Sequence, residues 1–396
     1  MFQNFLLVSI GILVSFIILI FISKPKTDHF LIFVDKLEAS QKFNDTKVRN
    51  RKRLDLLKNQ CKLTGYNIKQ RKIFENLLVS NSKIHGNTQN FISGAVFVKD
   101  GFHKKGNTRD VVLCAPAKTG TSSWRTGIMS MYHLNYTVKD AENGEIKPNS
   151  SLKTNPDVKT FLNNWKLSKE NKQKFFDNLL SETENSKLLK VLHVRNPLRR
   201  IYSAWSDKFF DYDKNEVFYE KFFRRYQNMV DESIKSYESA ESLKFRTVGH
   251  KKFIVSFQAF LRWIVSGKGL KQYKNAHWSP MYEYCDVCAV KYDVISKLES
   301  IELDIELVLD KLNATGSFSF PRINQKNRND SSLEMTSFKR FDFDSGLVDD
   351  YLKSGVDENL LNSFYDIYKL DFRFFDYDFQ NFKKSFLTKL NKTYIY

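Results

Sequence analysis

Cysteine is scarce in this chain, with 4 residues among 396, and the scarcity limits what cysteine chemistry can do. Cys285 and Cys288 form one C-x-x-C pair, and no second pair stands at zinc-ribbon spacing. Because a single pair cannot supply four tetrahedral ligands, the sequence argues against a structural zinc site unless histidines join it. Cys114 falls in an apolar strand pattern, which predicts a buried thiol. An oxidising lumen would permit disulfides, whose pairing the sequence leaves open.

Acidic residues are also few relative to basic ones, with 45 aspartates and glutamates against 63 lysines and arginines. The resulting formal charge of +18 indicates an anionic partner or surface. Nucleic acid is the generic candidate, but an anionic glycan together with a polyanionic nucleotide explains the charge equally well. A merely soluble basic surface is the third interpretation. The sequence has no obvious carboxylate cluster for a metal ion, so no metal site is expected.

One long apolar run is present, over residues 5–22. It is long enough to cross a bilayer with little tilt. No small-x-small cleavage pattern ends it, which favours an uncleaved signal anchor over a cleaved signal peptide. Lys24 and Lys26 follow the run and nothing basic precedes it, so the charges alone leave its orientation open.

Six N-x-Ser/Thr sequons favour a body on the luminal side of the membrane. Several would arise by chance in an asparagine-rich chain. The predicted glycosylation sites are Asn44, Asn135, Asn149, Asn313, Asn329 and Asn391.

Strand and helix patterns alternate along the rest of the chain. Short buried-type strands are predicted over residues 111–113 and 188–194. Helices are predicted over residues 122–133, 158–180, 197–210, 253–265, 301–312 and 359–370. This alternation is typical of an α/β fold, a three-layer sandwich with a central parallel sheet. Some helix is also expected between residues 24 and 105, as a stem and part of the domain edge.

The first of these strands leads into a small-residue loop that carries Lys118, followed by a helical segment. A strand that turns tightly into a helix aims free backbone N–H groups and the positive end of the helix dipole at an anion. Gly120 lets the backbone approach closely, and neighbouring hydroxyls offer further donors. A P-loop kinase needs Gly-x-x-x-x-Gly-Lys-Ser/Thr, and here the lysine precedes the glycine, which argues against that class.

The second strand leads into Arg195, Asn196 and Pro197, with Ser203 eight residues after the arginine. Arg195 can grip a phosphate with its planar fork, and Ser203 can add a hydroxyl from the following helix. One of Arg199 and Arg200 could face the same ligand, although a solvated helix face is favoured for them. Two such loops indicate a nucleotide with phosphates at both ends.

These loops resemble those of sulfotransferases that use 3′-phosphoadenosine 5′-phosphosulfate (PAPS). Residues 117–123 resemble the 5′-phosphosulfate loop, Trp124 matches the tryptophan that follows it in the carbohydrate branch, and residues 195–203 resemble the 3′-phosphate motif. Residues 276–304 resemble the His-Trp-x-Pro…Cys-x-x-Cys…Tyr-Asp…Lys-x-Glu block of Golgi chondroitin, dermatan and related carbohydrate sulfotransferases. Residues 365–377 resemble the closing segment of that group.

The resemblance implies that PAPS is the sulfate donor and that no metal takes part. It also implies the P-loop-like sulfotransferase fold. The predicted donor-binding residues are Ala117, Lys118, Thr119, Gly120, Thr121, Ser122, Ser123, Arg195, Asn196, Pro197, Leu198, Arg199, Arg200, Ile201, Tyr202 and Ser203.

For catalysis we predict Lys118 as the cation at the leaving oxygen and His277 as the base that takes the acceptor proton. His277 could instead position the acceptor or pack its loop. His193 and Glu283 are weaker candidates for the base. The predicted acceptor-binding residues are Trp278, Lys208 and Tyr282.

The family resemblance also implies a single-pass type II protein of the Golgi membrane. Its expected parts are a short cytoplasmic tail (1–4), a transmembrane signal anchor (5–22), a luminal stem (23–105) and a luminal sulfotransferase domain (106–396). The expected partners are a glycan or glycosaminoglycan acceptor, with chondroitin favoured, and the membrane, but no nucleic acid.

Two alternatives stay open. One is a non-catalytic, membrane-anchored glycan-binding protein with a decayed nucleotide site, against which the joint presence of Lys118, Arg195 and Ser203 argues. The other is a sulfotransferase with a heparan or protein-tyrosine acceptor, because nucleotide motifs are shared while acceptor sites are not.

Overall fold

Helices around a small, mostly parallel sheet make up the described part of the chain. The structure is a computed structural model that describes residues 27–66, 96–98, 110–121, 123–124, 169–182, 188–209, 237, 247–248, 251–252, 255–271, 275–312 and 345–393. Among these residues no helix is both long and apolar enough to cross a membrane. The predicted signal anchor at 5–22 lies outside them.

The strands are β1 (Val96–Val98), β2 (Asp110–Cys114), β3 (Leu188–Val194), β4 (Thr247–Val248), β5 (Lys251–Lys252) and β6 (Val294–Lys297). Four of them form one sheet in the order β1-β2-β3-β6. β1 runs antiparallel to β2, whereas β2, β3 and β6 are parallel. β3 is buried along its whole length, which explains why its sequence is mostly apolar, and its predicted bounds are confirmed.

The helices are α1 (Thr27–Thr64), α2 (Lys169–Leu180), α3 (Pro197–Lys208), α4 (Phe257–Val265), α5 (Lys268–Lys271), α6 (Met281–Tyr284), α7 (Ile301–Lys311), α8 (Ser345–Lys353), α9 (Glu358–Phe374) and α10 (Phe379–Thr393). A 3₁₀ turn, Leu298–Ser300, precedes α7. The predicted helix over 122–133 and the first part of that over 158–180 lie almost entirely outside the described residues.

α3 begins where its sequence predicts. Asn196 is the N-cap, and its side-chain oxygen accepts the N–H of Leu198 at 3.0 Å. Pro197 occupies the first helical position, where its missing N–H costs nothing. The cap and the proline fix where α3 leaves the end of β3, and this direction positions every later residue of the helix.

Aromatic side chains dominate the largest core cluster, in agreement with the 35 phenylalanines of the chain. The cluster joins α3, α4, α8, α9 and α10. Its aromatic members are Trp205, Phe209, Phe257, Phe260, Trp263, Trp278, Tyr351, Phe364, Tyr368, Phe372, Phe379, Phe382 and Phe386. Burial of these side chains supplies much of the hydrophobic stabilisation that holds the five helices together.

The chain divides into two compact units, residues 1–48 and 49–396. Within the second unit, the last part of α1 packs beside the sheet. Arg53 donates to Asp304 Oδ2 and to the Ile295 carbonyl, both at 2.8 Å, and Asn50 accepts the Ile295 N–H at 3.0 Å. The segment predicted as stem, 23–105, therefore contributes its residues 49–64 to the body that was expected to begin at residue 106.

Both cysteines of the C-x-x-C pair form disulfides with distant partners. Cys61 of α1 is bonded to Cys288, and Cys114 at the end of β2 is bonded to Cys285. The predicted free thiol at Cys114 is therefore wrong, because its strand ends beside the turn that carries Cys285. One disulfide anchors α1 and the other anchors the strand that leads into the Lys118 loop.

Removing the Cys61–Cys288 disulfide should lower the free energy of unfolding by about 2–5 kcal/mol, because the closed loop is long. We expect this loss in the double variant Cys61→Ser/Cys288→Ser, measured by denaturant unfolding without reductant. The matched control is Lys58→Ala, which removes an exposed ion pair of the same helix with Glu182 and should cost about 1 kcal/mol or less. Equal unfolding free energies for the double variant and the wild type would contradict this prediction.

Candidate functional site

Three segments meet at one edge of the sheet because they follow parallel strands. Residues 115–121, the Lys118 loop, follow β2, and the Arg195 loop follows β3. The 3₁₀ turn with Glu299 follows β6. The carboxyl ends of parallel strands are the usual place for a ligand in such a sheet.

The Lys118 loop is shaped by its own hydroxyl groups. Thr119 Oγ1 donates to the Pro116 carbonyl at 2.7 Å, and Thr121 Oγ1 donates to the same carbonyl at 2.7 Å. The two threonine hydroxyl protons and the Thr119 N–H are thus used inside the loop, so its other backbone N–H groups and Lys118 are the better candidates to bind an anion. Ser123 is buried, and the predicted contact of Ser122 lies outside the described residues.

Gly120 is required by both its backbone and its surroundings. Its φ is +92°, in the region that favours glycine. A Cβ atom there would lie 3.0 Å from Leu298 Cδ1 and 3.4 Å from His193 Nε2. The loop therefore lies directly on the ends of β3 and β6.

Lys118 contacts the last turn of α3. Its Nζ atom lies 2.5 Å from Asp207 Oδ2, and Lys208 Nζ lies 2.7 Å from the same oxygen. Burial lowers the pKa of Lys118, while the charge of Asp207 opposes that effect. Burial also raises the pKa of Asp207, but Lys118 and Lys208 outweigh it, so the pKa of that carboxyl is lowered overall. The structure thus places the predicted acceptor residue Lys208 beside the predicted catalytic lysine.

Arg195 joins the two loops. It is half-buried, and its Nη1 donates to the Lys118 carbonyl at 3.0 Å. The Asn196 N–H donates to Glu299 Oε1 at 2.8 Å, and the Tyr377 hydroxyl donates to Glu299 Oε2 at 2.9 Å. The Arg195 loop is therefore held from both neighbouring strands.

The remaining residues of the predicted 3′-phosphate motif divide by exposure. Leu198 and Ile201 are fully buried in the aromatic cluster, and Pro197 is buried in the first turn of α3, so their side chains belong to the core rather than to a ligand surface. Within the motif, the half-exposed positions on α3 are Arg199, Tyr202 and Ser203. Binding of the 3′-phosphate by Arg195 and Ser203 stays a prediction.

Arg200 does not lie on a solvated helix face, which corrects the favoured interpretation. Its side chain is fully buried. Its Nε donates to the Ala117 carbonyl at 3.1 Å, its Nη1 to Ser279 at 2.9 Å, and its Nη2 to Ala276 at 2.6 Å. Because its donors bind main-chain carbonyls, Arg200 links the Lys118 loop to the His277 loop, residues 275–282, and would affect a ligand through the positions of these loops.

His277 is oriented by Asn275. The Asn275 Oδ1 atom accepts the His277 backbone N–H at 3.0 Å and lies 2.6 Å from His277 Nδ1. Because that oxygen can only accept, Nδ1 carries the proton and Nε2 is the basic nitrogen. Burial lowers the pKa of His277 to about 3, with Lys208 and Lys118 as further causes, so the imidazole is neutral near pH 7.

The His277 loop is fixed along its length by α9. The Met281 and Tyr282 N–H groups donate to the two carboxylate oxygens of Asp371, at 2.9 and 2.8 Å. The Tyr368 hydroxyl donates to the carbonyl of Trp278. These contacts hold the base candidate on a rigid support.

Two predicted acceptor residues are corrected by their burial. Trp278 is fully buried in the aromatic cluster and donates from Nε1 to the Gly269 carbonyl at 2.9 Å, so its ring is not open to a sugar. Tyr282 is only 6% exposed, and its hydroxyl donates to Glu283 at 3.0 Å. Both residues belong to the His277 loop itself, and their side chains point into the core.

His193, the weaker candidate for the base, is a fully buried residue at the end of β3. Its Nδ1 lies 3.0 Å from the Ser296 hydroxyl of β6, and burial lowers its pKa to about 3. The imidazole of His193 lies against the Lys118 loop at Gly120.

Asp207, Asn275 and Asp371 contact the site residues and were not predicted. A sequence signal exists for Asp207 alone. It lies seven residues after Arg200 and four after Ser203, so the three share one face of α3. Within the described part of the chain, no group of histidine, cysteine or acidic side chains could hold a metal ion.

Two of the six predicted glycosylation sites lie within the described residues. Asn44 on α1 and Asn391 on α10 are both exposed. The other four, Asn135, Asn149, Asn313 and Asn329, lie outside the described residues.

Comparison with known proteins gives a consistent result. The pattern of the "Sulfotransferase family" matches residues 107–378. Carbohydrate sulfotransferase 11 of Mus musculus is 24% identical over 197 residues, 50% of this chain and 49% of that protein. Carbohydrate sulfotransferase 8 of Mus musculus is 25% identical over 227 residues, 57% and 46% of the two chains. Carbohydrate sulfotransferase 14 of Homo sapiens is 32% identical over 133 residues, 33% and 31% of the two chains.

The matched part of this chain thus spans about half or less of the length of these curated relatives. No solved structure matches.

Replacing Gly120 with alanine should destabilise the protein by about 1–3 kcal/mol, because a side chain at positive φ is strained and would press on Leu298. Gly65→Ala is the matched control, since Gly65 has φ +67° and nothing lies within 4 Å of its added Cβ. Denaturant unfolding of both variants separates the two causes. Equal losses for Gly120→Ala and Gly65→Ala would show that the contact with Leu298 has no cost.

Proposed function

The chain belongs to the sulfotransferase family, and we propose that it transfers a sulfuryl group from PAPS to a sugar hydroxyl of a glycan or glycosaminoglycan. One observation carries this proposal. The Lys118 loop and the Arg195 loop lie side by side at the carboxyl edge of β2 and β3, joined by the hydrogen bond from Arg195 to the Lys118 carbonyl. A donor with a phosphosulfate at one end and a 3′-phosphate at the other would occupy both loops.

The residues present fit such a donor. Gly120, with φ +92°, lets the Lys118 loop turn tightly, and Lys118 and Lys208 supply two ammonium groups beside it. Arg195 supplies a planar guanidinium one loop away, where a phosphate would gain charge-assisted hydrogen bonds. Bound PAPS supplies the sulfuryl group, and the protein supplies position and charge.

In the transfer, a bond forms between the acceptor oxygen and sulfur while the bond from sulfur to the 5′-phosphate oxygen breaks. The electron pair of the broken bond stays on the phosphate oxygen, and Lys118 stabilises that growing charge. His277 Nε2 takes the proton of the acceptor hydroxyl. Lys118 and Lys208 lie close enough to His277 to help lower its pKa.

A sugar acceptor is supported by the printed names of the relatives, which are carbohydrate sulfotransferases. A chondroitin-type acceptor is favoured within this class, because the block over residues 276–304 resembles the chondroitin and dermatan enzymes. Lys208 remains the candidate for an acceptor contact. Trp278 and Tyr282 no longer are, since both are buried.

The cellular setting follows from the same proposal. We place the chain in the Golgi membrane as a single-pass type II protein with residues 5–22 as anchor. The described sheet with helices packed around it is compatible with the three-layer, P-loop-like sulfotransferase fold. Two disulfides are compatible with an oxidising lumen.

Lys118→Ala should lower kcat by about 10²–10³-fold, because it removes the cation at the leaving oxygen. The measurement uses the full-length protein in detergent, radiolabelled PAPS, and desulfated chondroitin, dermatan, heparosan and N-glycan acceptors. Arg195→Ala should instead weaken binding of the desulfated nucleotide, by about 1.5–3 kcal/mol.

Lys389→Ala is the control for the loss of one positive charge. Lys389 lies on α10, and its Nζ atom is 2.7 Å from Oδ1 of Asp349 on α8. Transfer to one acceptor that Lys118→Ala slows by about 10²–10³-fold and Lys389→Ala leaves intact would establish the enzyme. If the folded wild type showed no transfer and no nucleotide binding, the proposal would be refuted. Nucleotide binding without transfer to any of these acceptors would point to an untested acceptor, such as a protein tyrosine, and would argue against the glycan-binding alternative with its decayed nucleotide site.

His277→Ala should lower kcat by about 10²–10⁴-fold while the desulfated nucleotide still binds, because the proton acceptor is lost. The wild-type pH profile gives a second check. Since the pKa of His277 is lowered from its ordinary 6.5 to about 3, the imidazole stays neutral well below pH 6.5. The pH profile of kcat/KM for the donor should therefore have its acid limb, the one caused by protonation of His277, below about pH 5. A limb near 6.5 that His277→Ala abolishes would contradict the described environment of this residue.

A further inference from the structure

Asp207 brings two ammonium groups to a single oxygen atom. Lys118 reaches Oδ2 from the Lys118 loop at 2.5 Å, and Lys208 reaches it from the last turn of α3 at 2.7 Å. The side chain of Asp207 is 43% exposed, whereas those of Lys118 and Lys208 are 20% and 10% exposed. The two lysines have therefore lost more water than the carboxylate, and they gain most from the contact.

The backbone of Lys118 also needs support. Its φ is +71°, a left-handed conformation that costs a residue with a side chain about 1–2 kcal/mol. Arg195 holds the carbonyl of Lys118, and Asp207 holds its ammonium group. Both contacts come from the segment that begins with the Arg195 loop and continues into α3, so this segment fixes both ends of the lysine.

The charges around Lys118 act in opposite directions. Burial lowers its pKa, and Lys208 and Arg195 lower it further. Asp207 acts against all three. His277 faces the same group from its own loop but is neutral near pH 7, so it adds no charge.

We propose that Asp207 is a positioning residue for sulfuryl transfer, which aims Lys118 at the leaving oxygen of the donor and keeps its ammonium group charged. The inference rests on the proposed function and deepens it, because it names the residue through which Lys118 acts. Asp207 touches Lys118 and Lys208 and needs no contact with the donor. Its negative charge opposes binding of an anion, so its benefit belongs to the transfer step rather than to donor affinity.

Asp207→Asn is the direct test, since it keeps the shape of the side chain and removes its charge. We expect kcat to fall by on the order of tenfold to a hundredfold, because a misaligned cation stabilises the transition state poorly. The dissociation constant of the desulfated nucleotide should stay the same or decrease, because one repulsive charge is gone. The basic limb of the kcat profile should move to lower pH, since Lys118 loses the charge that opposes its deprotonation.

Asp349→Asn is the matched control. Asp349 is 42% exposed and pairs with Lys389 at 2.7 Å, so the two aspartates resemble each other in exposure and pairing but not in location. Asp207→Glu separates charge from position. It should return the basic limb to the wild-type pH while kcat recovers only in part.

A readout without turnover keeps this inference separate from the proposed function. Carbon-13 NMR of labelled lysine side chains, with Lys118→Arg to assign the signal, follows the titration of Lys118 directly. Asp207→Asn should lower its titration midpoint, and Asp349→Asn should not.

An unchanged Lys118 titration and an unchanged kcat in Asp207→Asn would overturn the inference even if the wild type transfers sulfate. A decrease in kcat accompanied by weaker nucleotide binding would also overturn it, since that pattern indicates a general loss of structure at the site. Absence of both transfer and nucleotide binding in the wild type would instead refute the proposed function, while the NMR titration would still decide whether Asp207 controls Lys118.

Discussion

The buried guanidinium of Arg200 is the interaction on which the site depends. It lies between the Lys118 loop and the His277 loop and donates to one carbonyl of the first and two of the second. A buried charge is costly unless it is hydrogen-bonded, and here the backbone of both loops meets that need. Burial lowers the pKa of Arg200 and raises the pKa of the nearby Asp371 carboxyl to about 7, and the attraction between the two groups opposes both shifts. Asp371 also accepts two N–H groups of the His277 loop. A single cation and its counterion thus fix the distance between the cation that would stabilise the leaving group and the base that would take the proton.

The covalent links act in the same direction. The disulfide from Cys114 to Cys285 joins the end of β2 to the turn that follows α6, close in sequence to the two loops that Arg200 joins. Asp207 then adds a polar contact from α3 to Lys118. The disulfide ties the start of the Lys118 loop to the turn after α6, and Arg200 and Asp207 both tie the loop to α3. Several constraints of this kind are how a site made from loops can keep the precise geometry that catalysis needs.

Prediction from the sequence succeeded where the pattern is local. The run over 188–194 gave β3 with its observed bounds, because a strand buried on both faces is mostly apolar, and only Lys190 and His193 interrupt the apolar residues here. Asn196 and Pro197 marked the start of α3 by capping chemistry that requires only neighbouring residues. β6, α8 and α10 were not predicted. β6 is only four residues long, and it reads as a strand only once β3 lies beside it.

At the site, the sequence by itself determined which chemical groups are available: a lysine beside a glycine in a tight loop, an arginine after a second strand, and a histidine in a family block. Only the tertiary structure decided what each group faces. It turned Arg200 inward, buried Trp278 in the aromatic cluster, and brought Asp207 to Lys118 across 89 positions of the sequence. The physical reason is that charge, burial and hydrogen bonding depend on distances between side chains. Residues far apart in the chain acquire those distances only when the parallel strands align their ends.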